Sequence, residues 1–133
     1  MSPSPEPHWL PLRFRDLDSF GHVYHAEYLT LLDEGRTRFF RHAMKLDDPT
    51  SYVLVHAEID WESPLTRDDE AVRADFVLER IGRTSLTLGE VMHAPDGRLV
   101  SRGRAVVVLR DATTGTSRPL TDAERSRAQT LLS

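Results

Sequence analysis

An acidic pair, a glycine and two histidines lie within residues 16–28, directly before a long amphipathic segment. Asp18 is the second acid of the pair, and His25 stands where the amphipathic pattern begins. A helix that starts there would stabilise developing negative charge through its free backbone N–H groups and its dipole. A carboxylate base beside such an oxyanion site suits the hydrolysis of an ester or thioester. The local sequence alone equally allows Asp18 to cap the helix or to pair with an arginine.

The composition indicates a single globular domain. With 133 residues, 39% of them hydrophobic and 29% charged, the chain is long enough to bury a core. A net charge of -4 argues against nucleic-acid binding, because no basic stripe is available to neutralise phosphates. No apolar run approaches the roughly 18 residues of a membrane span, and residues 1–7 do not resemble a signal peptide. Since the absence of cysteine excludes disulfides and a catalytic thiol, we expect a cytoplasmic protein.

The hydrophobic periodicity predicts a mixed α+β order. After a poorly ordered, proline-rich tail over residues 1–8, strands are expected at 9–15, 53–61, 71–81, 85–93 and 99–110. A helix is expected from about residue 25 to about residue 45, and a short C-terminal helix follows the capping-box spacing of Thr121 and Glu124. The long helix carries one apolar stripe, which consists of Tyr28, Leu32, Gly35, Phe39 and Ala43. Because such a helix cannot remain half-buried alone, we expect an antiparallel sheet to wrap it.

The motif in residues 13–28, RFRDLDSFGHVYHAEY, resembles the hot-dog-fold acyl-CoA thioesterases. It is most similar to the 4-hydroxybenzoyl-CoA thioesterase family, which includes the acyl-CoA thioesterases associated with the Tol–Pal system. Weaker similarity continues at residues 33–36, 82–85 and 103–106, so that the likeness spans about residues 9–120. The resemblance implies a hot-dog fold, in which a five-stranded antiparallel sheet wraps a long central helix, over a single thioesterase domain at 9–133. It also implies a homodimer or homotetramer whose active sites lie between subunits.

The resemblance implies roles for two residues of the motif. Asp18 matches the catalytic carboxylate of the family, and His25 matches the helix-opening residue whose backbone N–H polarises the thioester carbonyl. Some relatives also use a histidine ring at that position. Others carry a tyrosine four residues before the catalytic aspartate, where this chain has Phe14, and that departure removes a hydroxyl. Asp16 is expected to be structural and to pair with Arg13 or Arg15.

Four further residues are expected to contact the substrate or its coenzyme A. Gly21 is expected to form a turn with positive φ that brings Asp18 over the helix start, and Tyr24 lies next to His25. Arg83, with Thr84 beside it, is a candidate for the phosphates of coenzyme A, because guanidinium groups bind phosphate well. The expected activity is hydrolysis of an acyl-CoA to a free acid and coenzyme A, without a metal or other cofactor.

Several alternatives stay open. The substrate could be a thioester of an acyl carrier protein, or the chain could be a non-catalytic acyl-CoA binder in which Asp18 is only a helix cap. Asp33 is the rival carboxylate, and His22 and His25 could join Asp18 as metal ligands. Asp18 could activate water as a general base or attack the carbonyl to form an anhydride. The identity of the acyl group, the choice between dimer and tetramer, and the role of the His25 ring are likewise open.

Overall fold

A computed structural model describes residues 9–132 of the chain. The predicted tail at residues 1–8 lies outside the described residues. Two α-helices and five strands are formed in the order β1 (Trp9–Pro11), α1 (Glu27–Ala43), β2 (Tyr52–Trp61), β3 (Ala71–Ile81), β4 (Ser85–His93), β5 (Leu99–Leu109) and α2 (Asp122–Leu131). Neither helix in this part of the chain is both long and apolar enough to cross a membrane.

The five strands form one antiparallel sheet in the order β1-β3-β4-β5-β2. Strands β3 and β4 have the predicted bounds, because the alternation of their side chains is clear and turns flank them. β1 is shorter than predicted, because the chain turns into a 3-10 helix at Phe14–Asp16, where the Asp16 carboxylate accepts the backbone N–H and the guanidinium of Arg13. β1 and β2 are the two edges of the sheet.

Helix α1 packs its apolar stripe on the sheet. It begins at Glu27, two residues later than predicted, and Met44 is its C-cap. Tyr28, Leu32 and Phe39 are buried as the stripe predicts. At Gly35 a Cβ atom would approach the Phe76 ring to 2.9 Å, so the glycine allows the helix to lie close to β3.

A buried ion pair also joins the helix to the sheet. Arg36 Nε donates to Glu90 Oε2 at 2.7 Å, and Arg36 Nη2 donates to Glu90 Oε1 at 2.9 Å. Both side chains are almost inaccessible to water. This two-bond geometry satisfies both charges and fixes the rotation of α1 relative to β4.

The apolar interior is divided into two clusters along the helix. One lies under the N-terminal half of α1 and includes Tyr28, Leu31, Leu65 and Met92. The other lies under the C-terminal half and includes the fully buried Phe40, and α2 covers it with Ala128. The predicted capping box of α2 is present, since Thr121 and Glu124 exchange hydrogen bonds through their side chains and backbone N–H groups.

Candidate active site

A tight loop between the 3-10 turn and α1 holds Asp18. Leu17 and Val23 form an isolated antiparallel bridge, and the Asp18 N–H donates to the His22 carbonyl at 2.7 Å. Gly21 has a φ of 77°, as predicted, and a side chain there would be strained. The loop therefore returns on itself over the four residues that follow Asp18.

The Asp18 carboxylate is fixed through one oxygen. Its Oδ1 accepts backbone N–H groups from Phe20 at 2.8 Å and from His22 at 3.1 Å. Its Oδ2 forms no hydrogen bond within residues 9–132. The side chain is thus oriented by the loop while one oxygen remains available to a ligand or water.

Asp16, two residues earlier, is bound entirely by the protein. It is fully buried, and Arg13 binds its two carboxylate oxygens through the backbone N–H and the guanidinium group. Burial alone would raise the pKa of Asp16, but the hydrogen bonds and charge of Arg13 outweigh it and lower that pKa. The Asp16 carbonyl also accepts the Tyr24 N–H at 2.7 Å. Asp16 is therefore the predicted structural acid, with Arg13 as its partner.

His25 lies directly before the helix rather than in its first turn. The N-cap is Ala26 and the helix begins at Glu27. Within residues 9–132 no hydrogen bond uses the His25 N–H, so this group is available at the positive end of the helix dipole. The His25 ring contacts the half-exposed Tyr24 ring, with centroids 4.3 Å apart.

A cleft of about 340 Å³ brings Asp18 and His25 together. Its other lining residues come from the loop, from α1, and from the end of β2 with the segment that follows it; they are His22, Val23, Tyr28, Trp61, Glu62, Ser63 and Pro64. The segment at residues 61–64 was not expected at the site. It reaches the cleft only because β2 returns along the sheet to the N-terminal end of α1, which no local pattern indicates.

Tyr28 joins the buried core to this cleft. Its side chain is 3% exposed, and its Oη accepts the Leu65 N–H at 3.0 Å. The ring packs edge-on against Trp61, with centroids 5.9 Å apart. Burial raises the pKa of the Tyr28 phenol, and the negative charge of Asp18 adds to that rise, whereas the Leu65 hydrogen bond opposes it.

The other predicted site residues lie outside the cleft. Arg83 and Thr84 are in the hairpin between β3 and β4, whereas the cleft is beside the start of β3. Since β3 has 11 residues, the hairpin is about 30 Å away along the strand within one chain. The rival acid Asp33 is exposed and receives a hydrogen bond from Arg36 at 3.1 Å. No group of three or more His, Asp or Glu side chains in residues 9–132 is arranged to hold a metal ion.

Comparisons with known proteins show the family and the fold of this chain. A family model described as the thioesterase-like superfamily matches residues 12–128. A thioesterase from Thermus thermophilus, solved in complex with coenzyme A and zinc, is 28% identical, covers 98% of this chain and 96% of its own, and has a TM-score of 0.84. A proposed acyl-CoA thioesterase from Xanthomonas campestris is 29% identical over 84% of this chain and 96% of its own, with a TM-score of 0.70. A predicted thioesterase from Bacillus stearothermophilus shares the fold at 24% identity, covers 96% of each chain and has a TM-score of 0.84. A search of curated protein sequences gave no match.

Proposed function

Because the chain belongs to the thioesterase-like superfamily, we propose that it hydrolyses the thioester of an acyl-CoA to a free acid and coenzyme A. Its fold, a long helix wrapped by a five-stranded antiparallel sheet, is the hot-dog fold predicted from the sequence. One observation carries the proposal. Within residues 9–132, Asp18 has an unused carboxylate oxygen, His25 has an unused backbone N–H, and both residues line the same cleft.

In the proposed reaction the thioester carbonyl oxygen binds at the His25 N–H. The helix dipole and this donor stabilise the oxyanion as the carbonyl carbon becomes tetrahedral. Asp18 either takes a proton from the attacking water or attacks the carbon itself. Label found in the Asp18 carboxylate after single-turnover hydrolysis in ¹⁸O-labelled water would establish the anhydride route, because water that opens the anhydride at the Asp18 carbonyl leaves its oxygen there.

Coenzyme A is the proposed acyl carrier. The Thermus thermophilus relative was solved with coenzyme A, which supports this choice over an acyl carrier protein. The proposed contacts to the substrate remain the same four residues. Gly21 and Tyr24 are in the loop that leads to His25, and Arg83 and Thr84 are in the distant hairpin. A cytoplasmic location also remains a prediction.

We propose that the active form is at least a homodimer, paired along β2. This strand of 10 residues is an edge of the sheet, and unpaired edges of such length are usually covered. Apolar side chains on it are exposed in the single chain, including Leu54 at 46% and Trp61 at 48%. Antiparallel pairing of β2 with a second β2 would join the two sheets and bury these side chains.

Such pairing would also explain the distance between Arg83 and Asp18. In an antiparallel pair, the start of one β2 lies beside the end of the other. The β3–β4 hairpin lies at the end of the sheet where β2 starts, and the cleft lies at the opposite end of the sheet, where β2 finishes. The hairpin of one copy would therefore approach the cleft of the other, where it could bind the phosphates of coenzyme A.

Light scattering tests the dimer. We expect at least twice the chain mass of 15.1 kDa at micromolar concentration, and we expect Leu54→Glu to weaken the association. Val77→Glu is the matched control, because Val77 is 47% exposed but lies on the interior strand β3. A monomeric wild-type protein would refute the dimer and the role of Arg83 together.

Thiol release from a panel of acyl-CoAs and acyl carrier protein thioesters tests the activity. We expect turnover of at least one acyl-CoA, with the matched acyl carrier protein thioester hydrolysed more slowly. Faster hydrolysis of the carrier-protein thioesters would overturn the choice of coenzyme A. Tight binding of acyl-CoAs without thiol release would instead establish a non-catalytic binder.

A further inference from the structure

The Tyr28 hydroxyl group can donate one hydrogen bond in addition to the one that it accepts. Its oxygen accepts the Leu65 N–H at 3.0 Å, and within residues 9–132 its own hydrogen has no acceptor. The ring is held by burial and by its edge-on contact with Trp61. The oxygen is therefore fixed in position, and the direction in which the hydroxyl can donate is restricted.

Tyr28 shares the cleft with Asp18. The negative charge of Asp18 contributes to the raised pKa of Tyr28, after burial. The phenol thus keeps its hydrogen at neutral pH. His22, His25 and Glu62 are the other titratable groups that line the cleft, and Asp69 and Arg98 act on Tyr28 from the adjacent segments.

No direct hydrogen bond joins Tyr28 to Asp18. Since both residues line the cleft, a water that contacts both would lie between a donor and an acceptor that the protein holds in place. A water that accepts a hydrogen bond from Tyr28 and donates one to Asp18 is held in one orientation. Its remaining lone pair then points in a fixed direction. Such preorientation lowers the barrier to attack without changing how tightly the substrate binds.

We propose that Tyr28 is a positioning residue whose hydroxyl group donates a hydrogen bond to the water that Asp18 deprotonates. The inference rests on the proposed function and favours its general-base route. The water oxygen forms a bond to the thioester carbon, its proton passes to Asp18 Oδ2, and the carbonyl π electrons move to the oxygen. The carbonyl then re-forms, the C–S bond breaks, and the thiolate of coenzyme A takes the proton from Asp18.

A double-mutant cycle on thiol release tests this role. Tyr28→Phe keeps the ring and removes the hydroxyl, and we expect kcat to fall roughly 10- to 100-fold with KM nearly unchanged. In the Asp18→Asn background the same substitution should lower the residual kcat less than about twofold, because the two groups act on one water. Equal effects in both backgrounds, or a Tyr28→Phe kcat within twofold of wild type, would overturn the proposal.

A matched control separates positioning from stability. Tyr28→Phe leaves the Leu65 N–H without its acceptor and will destabilise the fold. Phe40→Leu, in the fully buried core away from the cleft, destabilises without touching these groups. We expect this variant to lose thermal stability while it keeps the kcat of the folded wild-type protein. A similar loss of kcat in Phe40→Leu would show that the Tyr28 effect is only structural.

A second measurement does not depend on activity. NMR of protein labelled with ¹³C at the tyrosine Cζ follows the ionisation of Tyr28. The signal of Tyr28 is identified as the one that is missing in Tyr28→Phe. We expect Asp18→Asn to move this titration to lower pH and Asp111→Asn to leave it in place. An unmoved titration in Asp18→Asn would refute the coupling even if the protein hydrolyses thioesters. A wild-type protein that releases no thiol would instead refute the proposed function, and the NMR result would still decide whether Tyr28 and Asp18 interact.

Discussion

Helix α1 meets the sheet in two different ways at its two ends. At its C-terminal end, Phe39, Phe40 and Met44 pack among buried side chains of β3, β4 and β5, and α2 covers them; this region is called the closed end. At its N-terminal end, residues 18–28 and 61–64 surround an open cleft; this region is called the cleft end. Large apolar side chains stay exposed there, including Phe20 at 83% and Tyr24 at 46%.

The difference lies in what holds each end together. Dispersion and the hydrophobic effect hold the closed end, where aromatic rings such as Phe40 and Tyr52 lie 4.6 Å apart. The cleft end has its own apolar cluster, but there a loop lies over the cluster and is held by backbone hydrogen bonds, such as Val23 N–H to the Leu65 carbonyl at 2.8 Å. Substitutions at the closed end should therefore change stability, and substitutions of unused polar groups at the cleft end should change the rate.

Asp18→Asn, at the cleft end, should have the largest effect on the rate while it leaves stability almost unchanged. The amide keeps the size of the side chain and its acceptor for Phe20 and His22, but it cannot accept a proton or attack carbon. We expect kcat to fall about 10²–10⁴-fold with little change in the melting temperature. Steady-state thiol release and thermal unfolding measure the two quantities.

Asp111→Asn is the matched control for this prediction. Asp111 Oδ1 also accepts two turn N–H groups, from Thr113 at 2.8 Å and from Thr114 at 3.0 Å, but it lies outside the cleft. We expect full activity in this variant. If Asp18→Asn kept more than half of the wild-type rate, Asp18 would be a structural acid like Asp111, and Asp33 would become the candidate base.

Phe40→Ala should have the opposite effect at the closed end. Phe40 is fully buried, and removing its ring leaves a cavity that costs about 3–5 kcal/mol of unfolding free energy. We expect kcat per folded molecule to be unchanged. Urea unfolding measures the first effect, and an active-site titration measures the second. A loss of kcat in the folded variant would mean that the two ends are coupled through α1.

Asp16→Asn tests whether a charged group at the cleft end can be purely structural. The substitution weakens the hydrogen bonds from Arg13, and we expect a loss of about 1–3 kcal/mol at neutral pH. Since the pKa of Asp16 is lowered in the folded state, its contribution is present above the ordinary aspartate pKa and disappears as pH falls through the lowered value.

Urea unfolding of wild type and Asp16→Asn at pH 7 and at about pH 3 checks this sign, because most aspartates begin to protonate near pH 4. The difference in unfolding free energy between the two proteins should be smaller at the lower pH. Asp75→Asn, which breaks the more exposed pair with Arg73, should change stability little at either pH. If the difference in unfolding free energy between wild type and Asp16→Asn did not change with pH, Asp16 would not be ionised in its pair with Arg13.

His25→Ala should have the smallest effect. The substitution keeps the backbone N–H at the helix start, so we expect kcat within about tenfold of wild type. His25→Pro removes that N–H and should be nearly inactive, provided that circular dichroism shows an intact fold. A hundredfold or greater loss of kcat in His25→Ala would show that the ring transfers a proton. In that case the acidic limb of the pH–rate profile would also shift.

Much of the fold could be predicted because its signals are local. The alternation in β3 and β4, the helix stripe and the capping box of Thr121 each depend on residues a few positions apart. β1 was predicted too long, since the pairing of Asp16 with Arg13 competes with strand formation at Phe14. The Arg36–Glu90 pair joins residues 54 positions apart, and no local pattern indicates it.

The candidate site could be predicted only where its residues lie in one segment. Asp18, Gly21 and His25 are within one loop, so their spacing in the sequence constrains their arrangement. The cleft wall at Trp61 and Glu62 depends on how β2 returns across the sheet. Tyr28 was assigned to the apolar stripe, and its burial confirms that assignment. The position of its hydroxyl group depends on Leu65, which is 37 residues away.

The crystal structure of the wild-type protein with a non-hydrolysable acyl-CoA analogue, in which a methylene group replaces the thioester sulfur, tests the central claim most directly. We predict that the ketone oxygen lies about 3 Å from the His25 backbone nitrogen, with the carbonyl carbon facing the unused oxygen of Asp18. The coenzyme A phosphates should contact the β3–β4 hairpin of a second copy of the chain. A carbonyl group bound away from His25, or placed instead beside Asp33, would contradict the account.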